Sequence, residues 1–234
     1  MDKRILEYQQ KLMNASPFEC LAFFASAFKD KIVFSTSFGA EDQVLTDMIS
    51  RLKLGIELFT LDTGRIFQET YDLFDITEKK YNLKIRIYFP EAKEVENMVA
   101  AKGINLFYES MENRKECCNI RKIEPLQRAL SGNRVWITGL RKEQSVTRNK
   151  AEMIEWDENF QIIKLNPIIE WNETQVWAYI KEHRIPYNEL HDKGYPSIGC
   201  QPCTRAVQQG ENVRTGRWWW ELPEFKECGL HRKP

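Results

Sequence analysis

Five short apolar runs, separated by polar turns and helix-like stretches, restrict what this chain can fold into more than any other feature. They are IVFS (Ile32 to Ser35), the start of GIELFTLDTGR, KIRIYF (Lys84 to Phe89), RVWITGL (Arg134 to Leu140) and FQIIKLNPI (Phe160 to Ile168). Between them lie segments with helical patterning, among them EDQVLTDMISRL and Ile66 to Lys80. Strands whose apolar character is continuous are buried on both faces, which predicts an α/β single domain: a mostly parallel central sheet flanked by helices. Ligands of such sheets bind outside the carboxyl ends of the strands. Residues 1–210 read as this domain. From 211 to 234 the periodicity weakens and charges and three adjacent tryptophans accumulate, the pattern expected of a tail that moves or docks.

Composition narrows the partners. Of 234 residues, 34 are basic and 34 acidic, so no global field attracts nucleic acid or a membrane surface, and an anion site must be a local cluster of Arg and Lys. The N-terminus MDKRILEYQQKLMN lacks a signal-peptide apolar core, and no apolar run approaches the length of a membrane span. A cytoplasmic protein is expected. In that compartment the six cysteines (20, 117, 118, 200, 203 and 228) point to ligation or catalysis rather than a disulfide framework. Cys20, inside CLAFFASAF, reads as a core residue.

Three strand-end loops carry the anion-binding pattern. Ser35 to Asp42 (STSFGAED) follows the first strand, Leu61 to Arg65 (LDTGR) the second, and Thr138 to Ser145 (TGLRKEQS) the fourth. Small hydroxyl residues and a glycine between strand and helix let backbone N–H groups approach an anion, and the helix dipole favours its charge. The pattern is not that of a Walker A loop. An ordinary βα turn, with Ser35 or Ser37 as a cap and Glu41 and Asp42 placed for the dipole, accounts for the first loop alone. Three together favour an anion site.

The cysteine pairs are more specific. Cys117 and Cys118 are adjacent, and Cys200 and Cys203 have CxxC spacing after an interval of 81 residues. Four thiolates suit tetrahedral zinc or an iron–sulfur cluster, and adjacency favours the cluster, because zinc knuckles space their ligands by two to four residues.

Together, STSFGAED, LDTGR, ECCNIRKIEPLQRAL, WITGLRKEQS, GCQPCTRAV, RTGRWWWE and KECGLH resemble the assimilatory adenylyl-sulfate (APS) reductases, relatives of the phosphoadenylyl-sulfate (PAPS) reductases in the PP-loop superfamily. The resemblance runs from about Ile32 to His231 and implies a PP-loop, adenine nucleotide alpha hydrolase-like sheet. It implies a [4Fe–4S] cluster on Cys117, Cys118, Cys200 and Cys203, and Cys228 as the nucleophile. The implied substrate is adenylyl sulfate, and the implied reductant thioredoxin or a similar thiol donor on another chain. Phe38 resembles the PAPS-type loop, which keeps PAPS reduction, or dual use of both nucleotides, as an alternative.

The same resemblance, with loop position, supplies the substrate-binding candidates. Ser35, Ser37, Gly39, Glu41 and Asp42 form the phosphate-side loop, with the two acids on the ribose side or behind the loop, and Leu61 and Gly64 lie by the adenosine. Lys122, Arg148, Arg214 and Arg217 offset the charge of a polyanion attacked by a thiolate, with Arg65 and Arg141 added on loop position. At an effective dielectric near 20, one unit-charge pair at about 4 Å contributes roughly 4 kcal/mol. If its stretch is helical, Lys122 shares a face with Cys118. His231 either lowers the pKa of the nucleophilic thiol or caps the tail. Trp218 to Trp220 read as a seat for the tail, a contact in a homo-oligomer, or a surface for the thiol donor. Two readings from other classes compete: an ATP-using PP-loop enzyme, for which the second loop glycine is missing at Phe38, and a zinc-bound interaction module, against which the balanced charge argues.

Overall fold

A computed structural model of the chain describes residues 3–144, 148, 150–208, 210–211 and 213–221. Two helices, α1 (Lys3–Lys11) and α2 (Pro17–Phe28), precede the sheet. Helix α2 begins where the sequence says a helix should: Ser16 and Glu19 form a capping box and Pro17 occupies the first turn. The strands are β1 (Ile32–Ser35), β2 (Glu57–Leu61), β3 (Ile85–Tyr88), β4 (Val135–Ile137), β5 (Ile154–Asp157) and β6 (Ile162–Leu165). The connecting helices are α3 (Ala40–Leu52), α4 (Gln68–Tyr81), α5 (Ala92–Lys102), α6 (Met111–Cys118) and α7 (Glu124–Leu130), with α8 (Glu173–Glu182) after β6.

The sheet runs β3-β2-β1-β4-β6-β5 and is parallel except for β5, which pairs antiparallel with β6 at the edge. All five expected strands form. The sixth, IEWD, is as long as its neighbours but escaped sequence reading because two of its four residues are acidic, so it lacks their continuous apolar pattern. Strand order changes direction at β1, which pairs with β2 on one side and, through Ile32↔Val135 and Phe34↔Ile137, with β4 on the other. The loops leaving β1 and β4 therefore diverge and open a crevice at their carboxyl ends.

The main core lies between the sheet and α1, α2, α3 and α8, where Phe24, Phe34, Val44, Leu45, Val135 and Leu165 are fully buried. Cys20 belongs to it, as its sequence context predicts; it is buried with its sulfur 3.7 Å from that of Met153, and desolvation pushes its thiol up to about 12. A second cluster, away from the sheet, gathers Met98, Leu106, Phe107, Ile120 and Trp218 around Cys117, Cys118, Cys200 and Cys203. Among the described residues no helix is long and apolar enough to cross a membrane.

Candidate active site

The crevice between β1 and β4 widens into a cavity of about 840 Å³. Its floor is the loop after β1. There the Asp42 carboxylate accepts from both the Ser37 N–H (2.6 Å) and the Ser37 hydroxyl (2.7 Å), while the Phe38 N–H donates to the Thr36 hydroxyl. Asp42 is fully buried, and that burial outweighs its hydrogen bonds and pushes its carboxyl up to about 6. Phe38 holds φ 60°, the left-handed region that a side chain disfavours, and its ring is buried 5.3 Å from that of Phe74. Aromatic packing thus sustains a turn that glycine would adopt without cost. Ser35 accepts from the Trp136 indole of the neighbouring strand at 2.8 Å. Gly39 precedes α3 with no side-chain cap, which leaves the first N–H groups of that helix open to a ligand.

Of the expected substrate-binding residues, Ser35, Ser37, Gly39, Glu41, Asp42, Leu61, Lys122, Arg141, Arg148, Arg214 and Arg217 all line this cavity. Their roles divide. Arg141 is buried and ion-paired to Glu41 (Nε to Oε1, 2.8 Å), so the two acids of the first loop brace the walls, Asp42 gripping Ser37 and Glu41 gripping Arg141. Gly64 and Arg65 stand elsewhere. The peptide N–H of Gly64 folds back onto the Asp62 carboxylate in a turn with φ 69°, while Thr63 and Ile66 on either side of the pair line the cavity. Arg65 follows that turn to the thiol cluster, donating to the Ile104 carbonyl at 2.6 Å and lying 5.1 Å from the Phe107 ring.

The four paired cysteines converge, although 81 residues separate the pairs. Cys117 and Cys118 end α6, and Cys200 and Cys203 flank a short turn whose Gln201 N–H is bonded to the Arg65 carbonyl at 2.7 Å. All four thiols are buried and line one small apolar pocket, together with Arg114, Arg121 and Lys122. Burial raises Cys117 and takes Cys203 up to about 12. For Cys200 burial acts in the same direction, but the charge of Lys122, the Thr63 hydroxyl at 3.3 Å, Arg217 and Arg121 outweigh it and draw the thiol below its ordinary value. Among the described residues no group of three or more His, Cys, Asp or Glu side chains is arranged to hold a single metal ion. What the pocket offers is four thiols facing a common apolar space with cationic groups behind them, a donor set that suits a group wider than one ion.

Lys122 borders both cavities and sits where a helical continuation of α6 would carry it, with one difference. Residues Asn119–Ile123 form a π-turn between α6 and α7, so the simple i, i+4 relation to Cys118 does not hold, and the extra residue per turn aims Lys122 across the partition toward Cys200 and Cys203. Arg114 and Arg121 were not among the expected site residues. Both are buried beside the thiols, and Arg121 also donates to the Thr63 carbonyl at 2.6 Å. Their signal was present as basic residues one helical turn from the adjacent cysteines. The tryptophan run splits: Trp218 is buried at 1% exposure against the thiol cluster, whereas Trp219 remains 39% exposed. Residues 213–221 of the expected tail pack on the body, with Thr204 bridged to Arg217. Cys228 and His231 lie outside the described residues.

Comparison with known proteins is consistent along most of the chain. Residues 31–206 match the phosphoadenosine phosphosulfate reductase domain family. An adenosine 5'-phosphosulfate reductase of Allochromatium vinosum is 54% identical over 204 residues, covering 87% of this chain and 80% of that protein. One from Agrobacterium fabrum is 48% identical over 208 residues, covering 89% and 80%. Among solved structures, the PAPS reductase of Candida auris superposes with a TM-score of 0.75 at 34% identity, covering 88% of this chain and 98% of that one. Yeast FAD synthetase shares the fold alone, with a TM-score of 0.55 at 15% identity over 87% of this chain and 66% of that one.

Proposed function

This chain belongs to the phosphoadenosine phosphosulfate reductase domain family, and on that premise we infer that it reduces adenylyl sulfate to sulfite and AMP with electrons from a thiol protein such as thioredoxin, in sulfate assimilation. The observation that carries the reading is the shared border of the two cavities: Lys122, Cys200 and Trp218 line both the anion-binding crevice and the thiol pocket, and Arg217 lines the crevice beside them. A nucleotide with its phosphate over the Ser35–Gly39 loop would extend its sulfuryl group toward that border.

The chemistry needs one thiolate. Cys228 Sγ attacks the sulfuryl sulfur, the bond from that sulfur to the phosphate oxygen breaks, and AMP leaves with the bonding pair. The enzyme then carries an S-sulfocysteine. A donor thiolate attacks Cys228 Sγ and expels sulfite with the electron pair of the S–S bond, and a second donor thiol resolves the resulting mixed disulfide. Two donor thiols supply both electrons, so no electron need pass through another centre. Lys122, Arg148, Arg214 and Arg217 offset the negative charge that gathers when a thiolate meets a phosphosulfate.

Cys117, Cys118, Cys200 and Cys203 would hold a [4Fe–4S] cluster, in keeping with four buried thiols around one apolar space. Such a group would add a fixed charge behind the sulfuryl end and tie α6 to the 200–203 turn. PAPS remains the second reading, favoured by Phe38 and by likeness to a PAPS reductase at 34% identity; the two nucleotides compared as substrates at equal concentration decide between them.

The test of the reaction is direct. Mixed with adenylyl sulfate in the absence of any donor thiol, the enzyme should gain about 80 Da on the peptide bearing Cys228, and Cys228→Ser should gain nothing and form no sulfite. An unmodified wild-type peptide, or sulfite production by the serine variant, defeats the mechanism.

A further inference from the structure

Arg114 has no place in the reaction as written, yet it is the most completely buried charged residue described, at 0% exposure. It lies one helical turn before the adjacent cysteines on α6, and its guanidinium carries a hydrogen bond to the Cys118 thiol. The same guanidinium grips Glu221 with two parallel bonds, Nε to Oε1 at 2.7 Å and Nη2 to Oε2 at 2.8 Å. Its plane lies 4.8 Å from the Trp218 ring, with Arg217 4.6 Å from that ring as well. The peptide N–H of Trp218 donates to the Cys203 carbonyl at 3.2 Å. Residues 217–221 are thus fastened to both cysteine pairs at once.

Two features mark this fastening as more than packing. Trp218 has φ 41°, a conformation that a bulky residue keeps only when its surroundings over-determine it, and its buried indole N–H has no partner among the described residues. The Arg114–Glu221 pair is itself desolvated, with side chains 1% and 7% exposed, a costly arrangement where an apolar contact would have served. Both distortions fall at the last described residues before Cys228. Cys228 is seven residues beyond Glu221, which bounds their separation at about 25 Å.

We propose that the Arg114–Glu221 pair is the anchor of the nucleophile-bearing tail: it pins the chain at Glu221 to the wall of the thiol pocket and so limits the distance at which the nucleophile can act, which makes Arg114 and Glu221 positioning residues for the first step. This rests on the assignment of Cys228 as nucleophile. The anchor also links the pocket to the tail through Cys118, so that disturbing that thiol loosens the same residues.

Glu221→Gln keeps shape and burial while removing the charge, and Glu221→Ala removes the contact. In the holoenzyme without nucleotide, both should raise the rate of Cys228 alkylation by iodoacetamide at least five-fold, and trypsin should cut after Lys226 faster. Single-turnover addition of the sulfo group from adenylyl sulfate should slow at least ten-fold, while the dissociation constant for AMP and the visible spectrum stay unchanged. Alkylation and cleavage rates equal to wild type would overturn the anchor. So would a parallel loss of AMP binding and melting temperature in both variants, which would make the pair a general support of the fold. Failure of the wild-type enzyme to form any adduct would instead overturn the role of Cys228 and leave the alkylation result to judge the anchor alone.

Discussion

Asp42 shows how one side chain can organise the loop that floors the cavity. Its two bonds to Ser37 fix the turn after β1, and it does this from full burial, with its carboxyl pushed up to about 6 against an ordinary 3.8. Between those values the native state holds a proton that the unfolded state has released, so stability from this group is present below about pH 4 and is lost as pH rises through 6. The gap corresponds to roughly 3 kcal/mol at most. Urea unfolding at pH 5 and pH 8 should therefore show wild type losing roughly 1.4 kcal/mol more stability than Asp42→Asn, whose amide does not titrate, because the rest of the gap is already lost between pH 4 and pH 5. Parallel losses would mean the carboxyl is ionised throughout. The sequence left Asp42 either behind the loop or on the ribose side of a ligand. The conformation of Phe38 was not, since a phenylalanine at φ 60° reads simply as a missing glycine until its ring is seen against Phe74.

The crevice depends on how closely two elements approach. Where the β4 loop passes the start of α3, a Cβ added to Gly139 would fall 2.3 Å from Asp42 Oδ1 and 3.3 Å from the Asp42 peptide nitrogen. The carboxylate cannot yield without releasing Ser37. Gly139→Ala should therefore keep the fold but weaken AMP binding ten- to a hundred-fold, the worth of one charge-assisted hydrogen bond at about 1.5–3 kcal/mol. Titration calorimetry measures it, and unchanged affinity would show that the loop tolerates displacement. At this scale the sequence disclosed the three strand-end loops and the pairing of the cysteines, because small residues and CxxC spacing are local patterns. It could not disclose the π-turn at Asn119–Ile123, which re-aims Lys122 through a hydrogen-bond shift that no residue type announces. Nor did it show that the turn at Gly64 delivers Arg65 to the thiols while Thr63 and Ile66 stay on the cavity wall.

Across the whole molecule, scaffold and chemistry occupy separate regions. The main core runs from Ile5 to Ile185 and draws on α1, α2, α3, α8 and the sheet, while the thiol cluster and the tail root form a satellite joined to it by loops. The alternation of strands and helices was readable because each burial pattern spans a few consecutive residues. The seat of the tail was not, since it depends on Arg114 meeting Glu221 across an interval of 107 residues. A chain ending at Glu221 keeps every contact of the main core and of the anchor. It should melt within a few degrees of the full-length protein and bind AMP with the same affinity, yet form no sulfite, because the truncation removes Cys228 and nothing that the described core contains. Differential scanning fluorimetry with and without AMP tests both halves of that expectation. A large fall in melting temperature would show that residues 222–234 contribute to folding, and residual sulfite formation would show that a thiol of the body can replace the one on the tail.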